Sequence, residues 1–70
     1  MTQRITGRDL HIGDRIMAFT ADADATVTNI TDMEGGGLML SLDVHDLGGT
    51  TAVGSTYFIV NPDAEYTVVR

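Results

Sequence analysis

Histidine and aspartate are the residues of this chain best suited to chemistry. His11 and His45 are the only histidines, and Asp14, Asp43 and Asp46 lie near them in sequence. Imidazole and carboxylate together are metal-ligand chemistry, and the adjacent His45 and Asp46 could supply two ligands. A zinc site needs three or four ligands at set spacings, which this chain lacks, so both histidines read as surface residues and no metal is expected. Asp22-x-Asp24 matches the opening of a calcium-binding loop, but the later acidic positions, the glycine and the closing glutamate are missing. It reads as a solvated acidic loop. Gly35-Gly36-Gly37 could cradle an anion on backbone amides. No Lys-Ser or Lys-Thr pair follows it, and a strand pattern comes next, so it reads as a hairpin turn, as does Gly48-Gly49. Ser41 and Ser55 belong to no hydrolase pattern, and paired carboxylates would need a cleft that 70 residues can barely supply. The chain is expected to be no enzyme and to carry no cofactor.

What remains is contact chemistry. Met39 and His45 fall on the opposite side of their strand from its leucines, so both are expected to face outward. Tyr57 and Phe58 are adjacent and must point to opposite faces; Phe58 and Val60 are assigned inward and Tyr57 outward. Exposed Met and Tyr beside an open strand edge make a contact surface. A second use of the same side chains is a nucleotide-like ligand held between subunits. There Arg15 or Arg70 would pair with phosphate and Tyr57 or Tyr66 would stack on a base.

The elements that must position these residues are strands. Helical three-and-four spacing of apolar residues is rare, and β-branched runs recur between turn clusters. Leu10-His11-Ile12 leads through Gly13-Asp14 into a first strand, Arg15 to Phe19. Thr20 to Asp24 is a polar loop, and Ala25 to Thr31 is the second strand. Its apolar Val27 and Ile30 are three apart, which breaks alternation and predicts a bulge. After the Met33–Gly37 turn comes the clearest segment, Leu38 to His45. Leu38, Leu40, Leu42 and Val44 share one face, and Met39, Ser41, Asp43 and His45 the other. Asp46 to Gly49 turns back into a fourth strand, Thr50 to Val60, interrupted at Gly54. Asn61-Pro62-Asp63-Ala64 is expected to form one short helical turn. Glu65 to Val69 is the fifth strand. Five short strands without a covering helix bury their apolar face best by curling, so the expected fold is all-β: a small, partly open five-stranded barrel. Residues 1–70 read as one domain, with residues 1–6 loosely ordered.

Composition sets the limits. A 70-residue chain forms one small domain with a thin stability margin, and such domains gain much from a staple, a metal or a partner subunit. The chain has no cysteine, which excludes disulfide scaffolds and thiolate zinc sites. Ten acidic residues face four arginines (Arg4, Arg8, Arg15 and Arg70), giving a net charge of −6. Direct nucleic-acid binding and attachment to an anionic membrane both need the opposite sign. No apolar run approaches the roughly 18 residues of a membrane span, and no secretory signal opens the chain. A cytoplasmic location is expected.

The order of parts resembles the SH3-like small barrels of bacteria and their phages. The likeness rests on Leu10-x-Ile12-Gly13-Asp14-Arg15-Ile16, on Ala25-Thr26-Val27-Thr28-x-Ile30, and on the Pro62 turn before Val68-Val69. It spans residues 10–70 as a pattern of parts. The RNA-binding barrels of this kind carry glycine and basic residues where this chain has Ala21-Asp22-Ala23-Asp24, and peptide-binding SH3 domains carry a row of aromatics that is absent here. Small size and the absence of lysine are similar to accessory proteins of actinobacteria and actinobacteriophages. The resemblance implies a phage or prophage accessory protein that acts on a host protein in the host cytoplasm. The function expected is therefore a non-enzymatic binding module working by protein contact, self-association or both. Alternatives are the nucleotide-like sponge and an acidic mimic of DNA, although the acids are spread over loops instead of lying in a dense row.

Overall fold

The computed structural model describes residues 2–70 and is all-β, without an α-helix among those residues. Six strands follow in order: β1 (Thr2–Thr6), β2 (Arg15–Thr20), β3 (Ala23–Asp32), β4 (Leu38–Asp46), β5 (Ala52–Val60) and β6 (Glu65–Val69). They form one antiparallel sheet in the order β1-β6-β2-β3-β4-β5, so β1 and β5 are its two edges and the sheet is open.

The alternation in β4 sets the inner face. Leu40 and Leu42 are fully buried, and their cross-strand partners Ile30, Val27 and Phe58 lie on the same side. Val27 and Ile30 share that side because the β3–β4 register shifts between Val27 and Asn29, at the bulge that their spacing predicts. Leu10, Ile16, Ala25, Val60 and Val68 complete the core, with Ile5, Phe19, Ile30, Leu38 and Tyr66 packed around it. Curling brings the ring of Phe19 on β2 edge-on to Phe58 on β5, with centroids 5.0 Å apart, although two strands separate β2 from β5 in the sheet.

Three expectations are corrected. The sheet has six strands, not five, because residues 2–6 are ordered as β1 against β6, from Thr2 opposite Val69 to Thr6 opposite Glu65. Met1, also expected to be loose, lies outside the described residues. The segment at Pro62 is a β-turn closed by the Ala64 amide on the Asn61 carbonyl at 3.1 Å, and the Asp63 amide also donates to the Asn61 side chain at 2.9 Å. Among the described residues the single 3₁₀ turn is instead Gly7–Asp9, directly after β1. The two turns bond to each other, Gly7 N–H to Ala64 O at 2.8 Å and Arg8 N–H to Pro62 O at 3.1 Å. A Cβ at position 7 would stand 2.6 Å from the Asn61 carbonyl oxygen, so this approach requires glycine.

Candidate functional site

The first group of side chains able to do chemistry lies on the convex side of β2, β3 and β4. Asp24 opposes His45 across the β3–β4 ladder, and Thr26 opposes Arg15 across β2–β3. Arg15 donates to Asp24 Oδ2 from Nε at 3.1 Å and from Nη2 at 2.7 Å. The Ala18 amide donates to Asp24 Oδ1 at 2.7 Å and the Gly48 amide to Oδ2 at 3.1 Å. These amides and the guanidinium hold the Asp24 carboxyl down at about 2 although its burial pushes it up. His45 Nδ1 lies 2.9 Å from the Gly49 carbonyl, an acceptor only, so Nδ1 carries a proton; Nε2 lies 2.8 Å from the Thr26 hydroxyl. The group therefore ties the β4–β5 turn down over the sheet. His45 is corrected from exposed to buried: it does sit on the face opposite the leucines, but the turn at residues 47–49 covers it.

A second ion pair closes the far end. Arg70 donates to Asp14 from Nε and Nη2, both at 2.9 Å, and reaches the Asp9 carbonyl at 2.6 Å. The Arg70 guanidinium, aided by the His11 amide at 2.8 Å, lowers the Asp14 carboxyl from its ordinary range against the opposing effect of burial. Arg8 pairs with Asp63 and Arg4 with Glu65 on the exposed surface. All four arginines are thus engaged with carboxylates of the same chain, including the Arg15 and Arg70 expected to meet a phosphate. Among the described residues no cluster of three or more His, Cys, Asp or Glu is placed to hold a metal.

The third feature is the β5 edge. Ala52 to Ile59 are all exposed, and only Val60 at the strand's end is buried. Tyr57 is 72% exposed, Val53 65% and Ile59 60%. Tyr57 and Ile59 lie on the convex side with Ser41 and Met39 as their neighbours on β4. Met39 is half-buried there, and Phe58 and Val60 turn to the concave side as expected. Tyr66, half-buried, packs on the core from β6. It lines a cleft of about 280 Å³ with Ile16, Phe19 and Phe58, where β2 and β6 face β5 across the curl of the sheet. Of the residues expected to bind, Met39 and Tyr57 stand together, whereas Arg15, His45, Tyr66 and Arg70 belong to the internal network or the core rim. Sequence reading passed over Val53 and Ile59, although residues 47–62 form a stretch with no charged side chain.

No family model matches this chain, and no curated protein or solved structure is significantly similar to it.

Proposed function

We propose that this chain is a non-enzymatic binding module that works by protein contact through β5 and the convex side chains beside it. The observation that carries this reading is the edge itself. Nine residues, Ala52–Val60, have one strand neighbour, no charge and no proline. Natural edge strands are blunted by charged residues, proline or short length, because an open ladder of N–H and C=O groups pairs with other chains. The opposite edge follows that rule: β1 has five residues, and its Arg4 stands over Glu65 on β6. On β5 the edge is long and unprotected, and Tyr57, Ile59 and Met39 supply the mixture of aromatic and flexible apolar contact that interfaces favour.

The resemblance of the sequence to SH3-like small barrels of bacteria and phages would make a host protein in the host cytoplasm the partner, and a 70-residue chain without a staple favours another copy of itself. Among the described residues no helix is long and apolar enough to cross a membrane. The nucleotide-like sponge is the weaker reading, because Arg15 and Arg70 would have to leave Asp24 and Asp14 to meet a phosphate. The acidic mimic of DNA is weaker still, since four of the ten acids hold arginines of the chain itself.

A photo-reactive phenylalanine analogue placed at Tyr57, and separately at Gln3 on β1, tests the reading in an actinobacterial lysate. Polypeptide adducts are expected from position 57 and not from position 3. Equal labelling at both would remove the β5 surface from consideration. A small-molecule adduct in native mass spectra, with no polypeptide at position 57, would favour the sponge.

A further inference from the structure

We infer that the β5 edge pairs with the β5 edge of a second copy, antiparallel and about a two-fold axis through Thr56. This inference rests on the contact reading above and specifies its partner and register. Thr56 is the midpoint of β5 (Ala52–Val60). The large side chains Tyr57, Phe58, Ile59 and Val60 follow it, and the small or short ones Ala52, Val53, Gly54 and Ser55 precede it. A two-fold axis at Thr56 therefore sets Tyr57 opposite Ser55, Phe58 opposite Gly54 and Ile59 opposite Val53 of the other copy, large against small throughout. An isologous interface demands this self-complementarity, since each patch must fit itself reversed.

Three further observations agree. In an antiparallel pair, directly opposed residues share a face and aim their backbone groups the same way, inward or outward. A register centred on a residue opposes positions of equal parity, so the groups that β5 turns away from β4 meet their counterparts. Glycine at position 54 has open space where a Cβ would stand, and an aromatic ring laid over an edge glycine covers its exposed backbone. The absence of charge on β5 means that two copies of a chain carrying −6 bring no like charges together along the ladder. The bulge on β5 falls at Val53, where the β4–β5 register shifts between Val44 and His45, so Gly54 to Phe58 is the uninterrupted centre.

The chain's lack of cysteine makes single-thiol reporters unambiguous. In Thr56→Cys the two thiols face each other across the axis, at a separation that a disulfide can span. In Val53→Cys, on the same exposed strand, the two thiols lie six residues apart along the ladder, roughly 20 Å. Mild oxidation is expected to convert Thr56→Cys to disulfide dimer and to leave Val53→Cys largely monomeric. Sedimentation of the wild-type protein should give twice the 7.5 kDa chain mass. Thr56→Lys, a substitution at an exposed position, should keep the far-ultraviolet spectrum and weaken self-association at least tenfold. Equal cross-linking of the two cysteine variants, or a wild-type mass of 7.5 kDa at every concentration, would overturn the inference. So would a mixed disulfide between Thr56→Cys and Gln3→Cys proteins in preference to the Thr56→Cys dimer, which would signal head-to-tail addition of β1. A monomer that still labels a host polypeptide from position 57 would defeat self-pairing and leave the contact reading standing.

Discussion

Asp24 shows how one side chain can hold three segments together. Its carboxylate receives Arg15 from β2, the Ala18 amide from the β2 bulge and the Gly48 amide from the β4–β5 turn, and its side chain is only 1% exposed. Removing it as Asp24→Ala would leave a guanidinium and two amides facing a void. The expected loss is about 3 kcal/mol, read as a shift of the urea midpoint. The same contacts make stability depend on acid. The folded carboxyl sits at about 2, below its ordinary 3.8, so the folded state binds its proton later than the unfolded chain does. Its contribution is complete above the ordinary carboxylate range and is lost as pH falls through about 4 towards 2. Asp14, lowered in the same direction by Arg70, adds to that loss. Melting temperature should therefore drop between pH 4 and 2, and the drop should be shallower in Asp24→Asn. An equally steep acid transition in that variant would show that Asp24 is not its source. None of this was legible in sequence, where Asp22-x-Asp24 reads as solvated loop. Burial of Asp24 and His45 depends on a turn more than twenty residues downstream of Asp24 folding back over them. Alternation assigns a face but not what lies above it.

Among the elements, those that carry their own pattern were the legible ones. β4 shows eight residues of strict alternation, and its leucines are the core; β3 declared its bulge through the Val27–Ile30 spacing. β1 was missed because Thr2 to Thr6 carries a single apolar residue, Ile5, and takes its strand form from pairing with β6. The bend in β2 was equally hidden. Ala18 has φ +49°, in the left-handed region, between the paired residues Ile16 and Thr20 where the β2–β3 register shifts. A residue with a Cβ pays about 1–2 kcal/mol for that conformation, and glycine does not. The conformation turns the Ala18 amide into the Asp24 carboxylate, which explains why the bend persists. Ala18 is exposed, so Ala18→Gly removes little packing. After allowing for the greater freedom of an unfolded glycine, the variant should be more stable by about 0.5 kcal/mol in urea denaturation. A destabilised variant would mean that the left-handed conformation at this position costs less than the added freedom of an unfolded glycine.

For the whole molecule, the open sheet and the short chain lead to the same consequence. A core of eight buried apolar residues supplies a domain of this size with only about 3–5 kcal/mol of stability. There is no disulfide to raise that figure, and the β5 edge leaves backbone groups and four large hydrophobic side chains, Val53, Tyr57, Phe58 and Ile59, exposed to water. Pairing two copies at β5 satisfies those groups and couples folding to association, so stability becomes a function of concentration. For a dimer of 70-residue chains that unfolds as it dissociates, each tenfold increase in protein should raise the melting temperature by about 4–5 °C. Thr56→Lys should show a smaller dependence on concentration, and should lie below the wild type most clearly in concentrated solution. Salt separates this effect from simple charge repulsion. Screening the net charge, −6 in the wild type and one unit less negative in Thr56→Lys, raises both melting temperatures at every protein concentration, whereas the concentration dependence belongs to the paired strand. A wild-type melting temperature that stays fixed over a hundredfold range of concentration would leave the stability of the sheet to its single core, with the β5 edge open in the native state.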